Sequence, residues 1–121
     1  MTLNECYSLI GGDFDELLNA LGSEGIIQKF LLKLIDENTH LILENSLKEK
    51  NYEEAFRASH TIKGITLNLC LKRLFSFVNP LTEALRHQDK IDEALVLRLY
   101  EAFKLEYDKT IEVIKEFKDS L

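Results

Sequence analysis

Apolar side chains return at alternating steps of three and four along most of this chain, the spacing of a helix buried on one face. The clearest run is Ala55, Ala58, Ile62, Ile65 and Leu69, which about 100° of rotation per residue gathers into a single stripe. Similar runs flank it. Gly11-Gly12-Asp13 supplies a break and an N-cap, predicting a short helix from about Asp13 to Leu21 that stops at Gly22. Ser23 caps a second start, and Ile26, Ile27, Phe30, Leu31, Leu34 and Leu41 predict one long helix reaching about Leu47. Lys48-Glu49-Lys50-Asn51 reads as a polar turn whose asparagine caps the helix of the central stripe. Leu71, Leu74, Phe75, Val78, Leu81 and Leu85 outline a third long helix with Pro80 inside it, which is expected to kink there. From Asp92 onward Leu95, Leu99, Phe103, Tyr107, Thr110, Ile114 and Phe117 trace the last and longest helix. Short connections favour antiparallel neighbours. The expectation is an all-α protein, an antiparallel four-helix bundle with a short N-terminal helix capping one end.

Composition narrows the class. The chain has 121 residues, 45% hydrophobic and 30% charged, with one proline and five glycines. That length suits one domain of ordinary size, spanning residues 1–121. A net charge of −6, from 21 acidic and 15 basic residues, argues against nucleic acid, whose phosphates call for a concentrated basic surface. No apolar run approaches the roughly 18 residues of a membrane-spanning helix, and Met1 to Asp13 lacks the basic start of a secretory signal. A cytoplasmic, monomeric protein is expected, with no membrane partner. Cys6 and Cys70 have no metal-type spacing and are expected to be reduced thiols.

The candidate chemistry lies in His60-Thr61-Ile62-Lys63-Gly64. His60 points away from the apolar stripe, Lys63 flanks it at i+3, and Gly64 lies beside it one turn on. Phe56 and Leu67 project to the same side as candidate docking positions. An ordinary imidazole is largely deprotonated near pH 7 and is a competent nitrogen nucleophile, able to accept a phosphoryl group. Lys63 can then offer that group a charge-assisted hydrogen bond. A glycine inside a helix costs about 1 kcal/mol relative to alanine, so Gly64 needs a reason, and clearing the approach of a reacting partner supplies one. The sequence has no Walker-type loop, dinucleotide fingerprint or HExxH motif, and no evident carboxylate near His60 to orient it or to hold Mg²⁺. His60 is therefore expected to be a carrier rather than the centre of an enzyme, with the chemistry completed by the protein that docks.

These residues resemble the histidine-containing phosphotransfer (HPt) domains of His-Asp phosphorelays, whose motif places lysine at i+3 and glycine at i+4 from an exposed histidine. His60, Lys63 and Gly64 match it. The likeness extends to Asn51-Tyr52, to Ala55-Phe56-Arg57-Ala58-Ser59, to Asn68-Leu69 and to Leu81-Thr82-Glu83-Ala84-Leu85-Arg86. It implies a four-helix bundle in which His60 exchanges a phosphoryl group with a response-regulator receiver aspartate or a histidine kinase. Lys63 would steady that group, Gly64 would permit docking, no cofactor would be held, and Mg²⁺ would sit in the receiver partner. Two positions depart from the family's pattern. Cys70 stands where many members end the active helix with glycine, and Ile65 replaces the small residue often found after Gly64.

Two other readings use the same residues. Glu37 with His40, at i and i+3, has the spacing of one half of a di-metal carboxylate bundle, but such a site needs a second pair, and Glu83 with His87 has i+4 spacing. A bundle that binds a partner through the His60 face without being phosphorylated needs only the apolar flanks.

Overall fold

The structure, a computed structural model, describes residues 1–121 and is all-helical. Seven α-helices follow one another: α1 (Leu3–Ile10), α2 (Phe14–Leu21), α3 (Glu24–Lys33), α4 (Thr39–Lys48), α5 (Tyr52–Asn68), α6 (Lys72–Leu85) and α7 (Glu93–Asp119). Single turns of 3₁₀ helix follow α3 at Leu34–Asp36 and precede α7 at Gln88–Lys90. The caps are where the polar residues call for them. Asp13, Ser23, Asn51 and Asp92 each accept a backbone N–H from the first turn of α2, α3, α5 and α7, satisfying donors that the helix itself leaves unpaired. No helix is long and apolar enough to cross a membrane.

α5 packs between α4 and α6, and α6 packs on α7. α4 and α7 meet through the stacked rings of His40 and Tyr107 and a Lys104 to Glu44 ion pair. One core joins them, with Leu31, Leu43, Leu74, Leu81, Phe103 and Ile114 all buried. On α5 the buried face holds Ala55, Ala58 and Ile62, together with Ser59 and Thr66, and Leu69 at its C-cap continues it. The hydroxyls of Ser59 and Thr66 donate to the carbonyls of Phe56 and Lys63, so their burial leaves no hydroxyl unpaired. Ile65 is half-buried at the margin of this face.

Two sequence expectations need correction. The long helix expected from Ser23 to about Leu47 is two helices. Glu37 is extended (φ −71°, ψ 133°), and its carboxylate accepts from the Asn38 and Thr39 amides and from the Thr39 hydroxyl. That local network competes with the helical ladder and restarts the chain as α4. The restart also resets the apolar phase, so that Leu43 is fully buried while Leu41 is 50% exposed. Further, the segment before Asp13 is itself a helix. Thr2 and Glu5 form a reciprocal capping box at the start of α1, and α1 lies on α7.

The end of α5 turns on Cys70. Cys70 adopts the left-handed conformation itself, at φ 51°. Its amide donates to the Leu67 carbonyl and that of Leu71 to Thr66, the paired bonds of a Schellman motif. The N-terminal segment fastens onto this corner. Asp13 donates its amide to the Cys70 carbonyl, and the Tyr7 hydroxyl donates to the Leu69 carbonyl. A Cβ on Gly12 would stand 2.5 Å from the Tyr7 ring and 3.1 Å from the Cys70 carbonyl oxygen, so glycine is required for that close approach.

Candidate functional site

His60 is exposed on the outer face of α5, opposite the buried stripe. The Asn51 cap and the Schellman corner fix the two ends of its helix, and the small residues Ala55, Ala58 and Ser59 bury the face behind it. The Phe56 ring, one turn earlier, packs against the imidazole at a centroid distance of 5.7 Å and a tilt of 46°. Phe56 is half-buried and reaches the core from one side. The Arg86 guanidinium of α6 lies 5.2 Å over its ring. Leu67 is 55% exposed, two turns beyond His60. A Cβ built on Gly64 meets nothing within 4 Å. The packing of this molecule therefore does not require glycine there, and the open space lies on the outside of the helix.

Lys63 is more constrained than a solvated lysine. Its side chain is only 21% exposed, and its Nζ lies 3.5 Å from Glu83 Oε1 on α6. Glu83 is in turn gripped at two points by Arg86, whose Nε and Nη2 each donate at 2.9 Å to a separate carboxylate oxygen. The Arg86 contact, with Lys63 adding to it, holds the Glu83 carboxyl down to about 2. Lys63, one turn from His60, thus has a carboxylate partner on the neighbouring helix. Sequence reading misses Glu83 and Arg86 as parts of this site. Their i, i+3 spacing signals a pair on one helix, but only the packing of α6 on α5 brings that pair to Lys63.

A groove of about 400 Å³ opens beside the C-terminal half of α5, with Leu21, Phe30, Leu34, Ile65 and Leu69 as its apolar lining. Ile65 faces this groove rather than His60. It consequently leaves the imidazole clear.

The residues of the di-metal reading are dispersed in other tasks. Glu37 caps α4, and the hydroxyl of Thr39 is the main cause of its lowered pKa. His40 stacks on Tyr107 at 4.7 Å, Glu83 belongs to Arg86, and His87 is exposed. Nowhere do three His, Cys, Asp or Glu side chains come together in a way that could hold a metal ion. Cys6 and Cys70 are both free and buried, and burial pushes the Cys6 thiol up to about 11.

No protein-family profile, curated protein or solved structure matches the chain.

Proposed function

We propose that the chain is a phosphoryl carrier of the histidine phosphotransfer kind, exchanging a phosphoryl group between His60 and the aspartate of a response-regulator receiver domain. The observation that carries this reading is a single arrangement on α5: an exposed imidazole, a lysine held one turn away, and a glycine with empty space outside it. In the forward step a lone pair on an imidazole nitrogen forms the N–P bond as the aspartyl P–O bond breaks, returning the receiver's carboxylate. The reverse step restores the acyl phosphate. Lys63 offers its ammonium to the phosphoryl oxygens. Phe56, Gly64 and Leu67 surround the histidine as the docking surface, and Mg²⁺ belongs to the receiver. In this reading the α3–α4 segment, α5, α6 and α7 form an antiparallel four-helix bundle capped at one end by the N-terminal helices, and the carrier works as a cytoplasmic monomer.

The test is transfer from a phosphorylated receiver, with Mg²⁺, to the wild-type chain and to His60→Gln. The expected result is an acid-labile, base-stable adduct on the wild type alone. A wild-type chain that binds the receiver but acquires no phosphoryl group from it would support the adaptor reading instead.

A further inference from the structure

The ion pairs around Lys63 are unequal. Glu83 and Arg86 make two bonds of 2.9 Å, the length of charge-assisted hydrogen bonds. Lys63 stands 3.5 Å from the same carboxylate, close enough for attraction but too long for a bond of that strength. Glu83 is thus firmly anchored on its own helix, while its hold on Lys63 is loose. The guanidinium that anchors it also lies over Phe56, whose ring touches His60. A line of side chains from α6 therefore reaches the candidate nucleophile's immediate surroundings.

We propose that Glu83 is the resting counter-ion of Lys63, a positioning residue that holds the ammonium toward α6 until a phosphoryl group on His60 draws it away. The proposal rests on the carrier reading of His60. Its physical basis is a competition between two anions for one cation. The carboxylate carries one negative charge, whereas a phosphoryl group carries about −1.5 to −2 and three acceptor oxygens. Lys63 and Arg86 share the single carboxylate of Glu83, so one positive charge is left over to meet an incoming anion. On phosphorylation Lys63 moves to the stronger anion while Arg86 keeps Glu83 satisfied. Glu83 then opposes the bound phosphoryl group by like charge. It keeps the phosphohistidine from becoming so stable that onward transfer fails.

Phosphoramidate tests this without a protein partner. The imidazole nitrogen forms the N–P bond, the donor's P–N bond breaks, and its electron pair leaves with ammonia, which carries the protons already on the donor nitrogen. Phosphohistidine is followed by ³¹P NMR in the wild type, His60→Gln, Glu83→Gln, Lys63→Gln and the Lys63→Gln/Glu83→Gln double variant, with thermal melts showing that each is folded. Label is expected on the wild type and not on His60→Gln. Glu83→Gln is expected to raise the steady level of phosphohistidine and slow its hydrolysis by about threefold, the scale of one partly shielded ion pair. Glu83→Ala should act in the same direction. The gain should largely vanish when Lys63 is already glutamine. A Glu83→Gln protein that labels like the wild type overturns the proposal and leaves the carrier reading standing. A gain that persists in full without Lys63 also overturns it, since Glu83 would then act by another route. A wild-type chain that takes no label overturns the carrier reading and the role of Glu83 with it.

Discussion

His40 and His60 stand on neighbouring helices, and each has an aromatic ring against it. The His40 imidazole lies nearly flat on Tyr107, at 4.7 Å and 28°. Its Nδ1 is buried without a hydrogen-bond partner, and the phenol beneath it is pushed up to about 12, chiefly by burial and then by Glu37 and Asp108. The His60 imidazole leans on Phe56 at 46° from the outside of α5. A cation and an unobstructed glycine stand next to it. The two sites differ little in residue type. Access separates them: His40 is half-buried against Tyr107, whereas His60 is exposed.

The largest contrast is expected on replacing each in turn. His60→Gln should abolish the phosphoryl adduct, whereas His40→Gln should leave transfer from the receiver unchanged in the same assay. Next comes the glycine. Gly64→Gln should cut the rate of receiver transfer by about tenfold, equivalent to ~1.4 kcal/mol of lost docking, with the helical circular dichroism intact. Gly64→Ala, by contrast, should stabilise the fold by about 1 kcal/mol and raise the melting temperature by roughly 4 °C, because its Cβ has free space. A fall in stability for Gly64→Ala would mean that the glycine serves the fold and not the partner.

On the other side of the comparison, His40→Phe keeps a ring on Tyr107 and removes the unpaired buried nitrogen. Denaturant unfolding should show a gain of about 1 kcal/mol, with no effect on transfer. The smallest effect is a titration. The Glu83 carboxyl is held well below its ordinary value, so its ion pair is complete above about 4.3 and is lost as the pH falls through about 2. Carboxyl NMR should place the Glu83 midpoint near 2, with the Arg86 Nε–H signal moving alongside it. Arg86→Gln should return that midpoint toward the ordinary range.

Much of this is legible in the residues taken in order. The short-range rules of capping and periodicity find α2, α5 and α7 and place His60 away from the core, because a helix fixes the direction of each side chain relative to its neighbours. The same rules fail between Leu34 and Thr39. There the apolar spacing continues, while the side chain of Glu37 gathers three donors and ends the ladder. They also miss α1, although Thr2 and Glu5 carry the capping-box spacing. Periodicity also finds α6, which runs through Pro80 from Lys72 to Leu85.

Residue order alone is enough for an all-helical chain, for the caps that start its helices, and for the sharing of one helix face by His60, Lys63 and Gly64. These are local matters, settled within a few turns by backbone geometry and hydrogen bonding. Packing adds the meeting of Lys63 with a carboxylate, the cover of Arg86 over Phe56 and the stacking of His40 on Tyr107. Each of those contacts joins residues on different helices, and such distances exist only once the apolar faces have packed against one another.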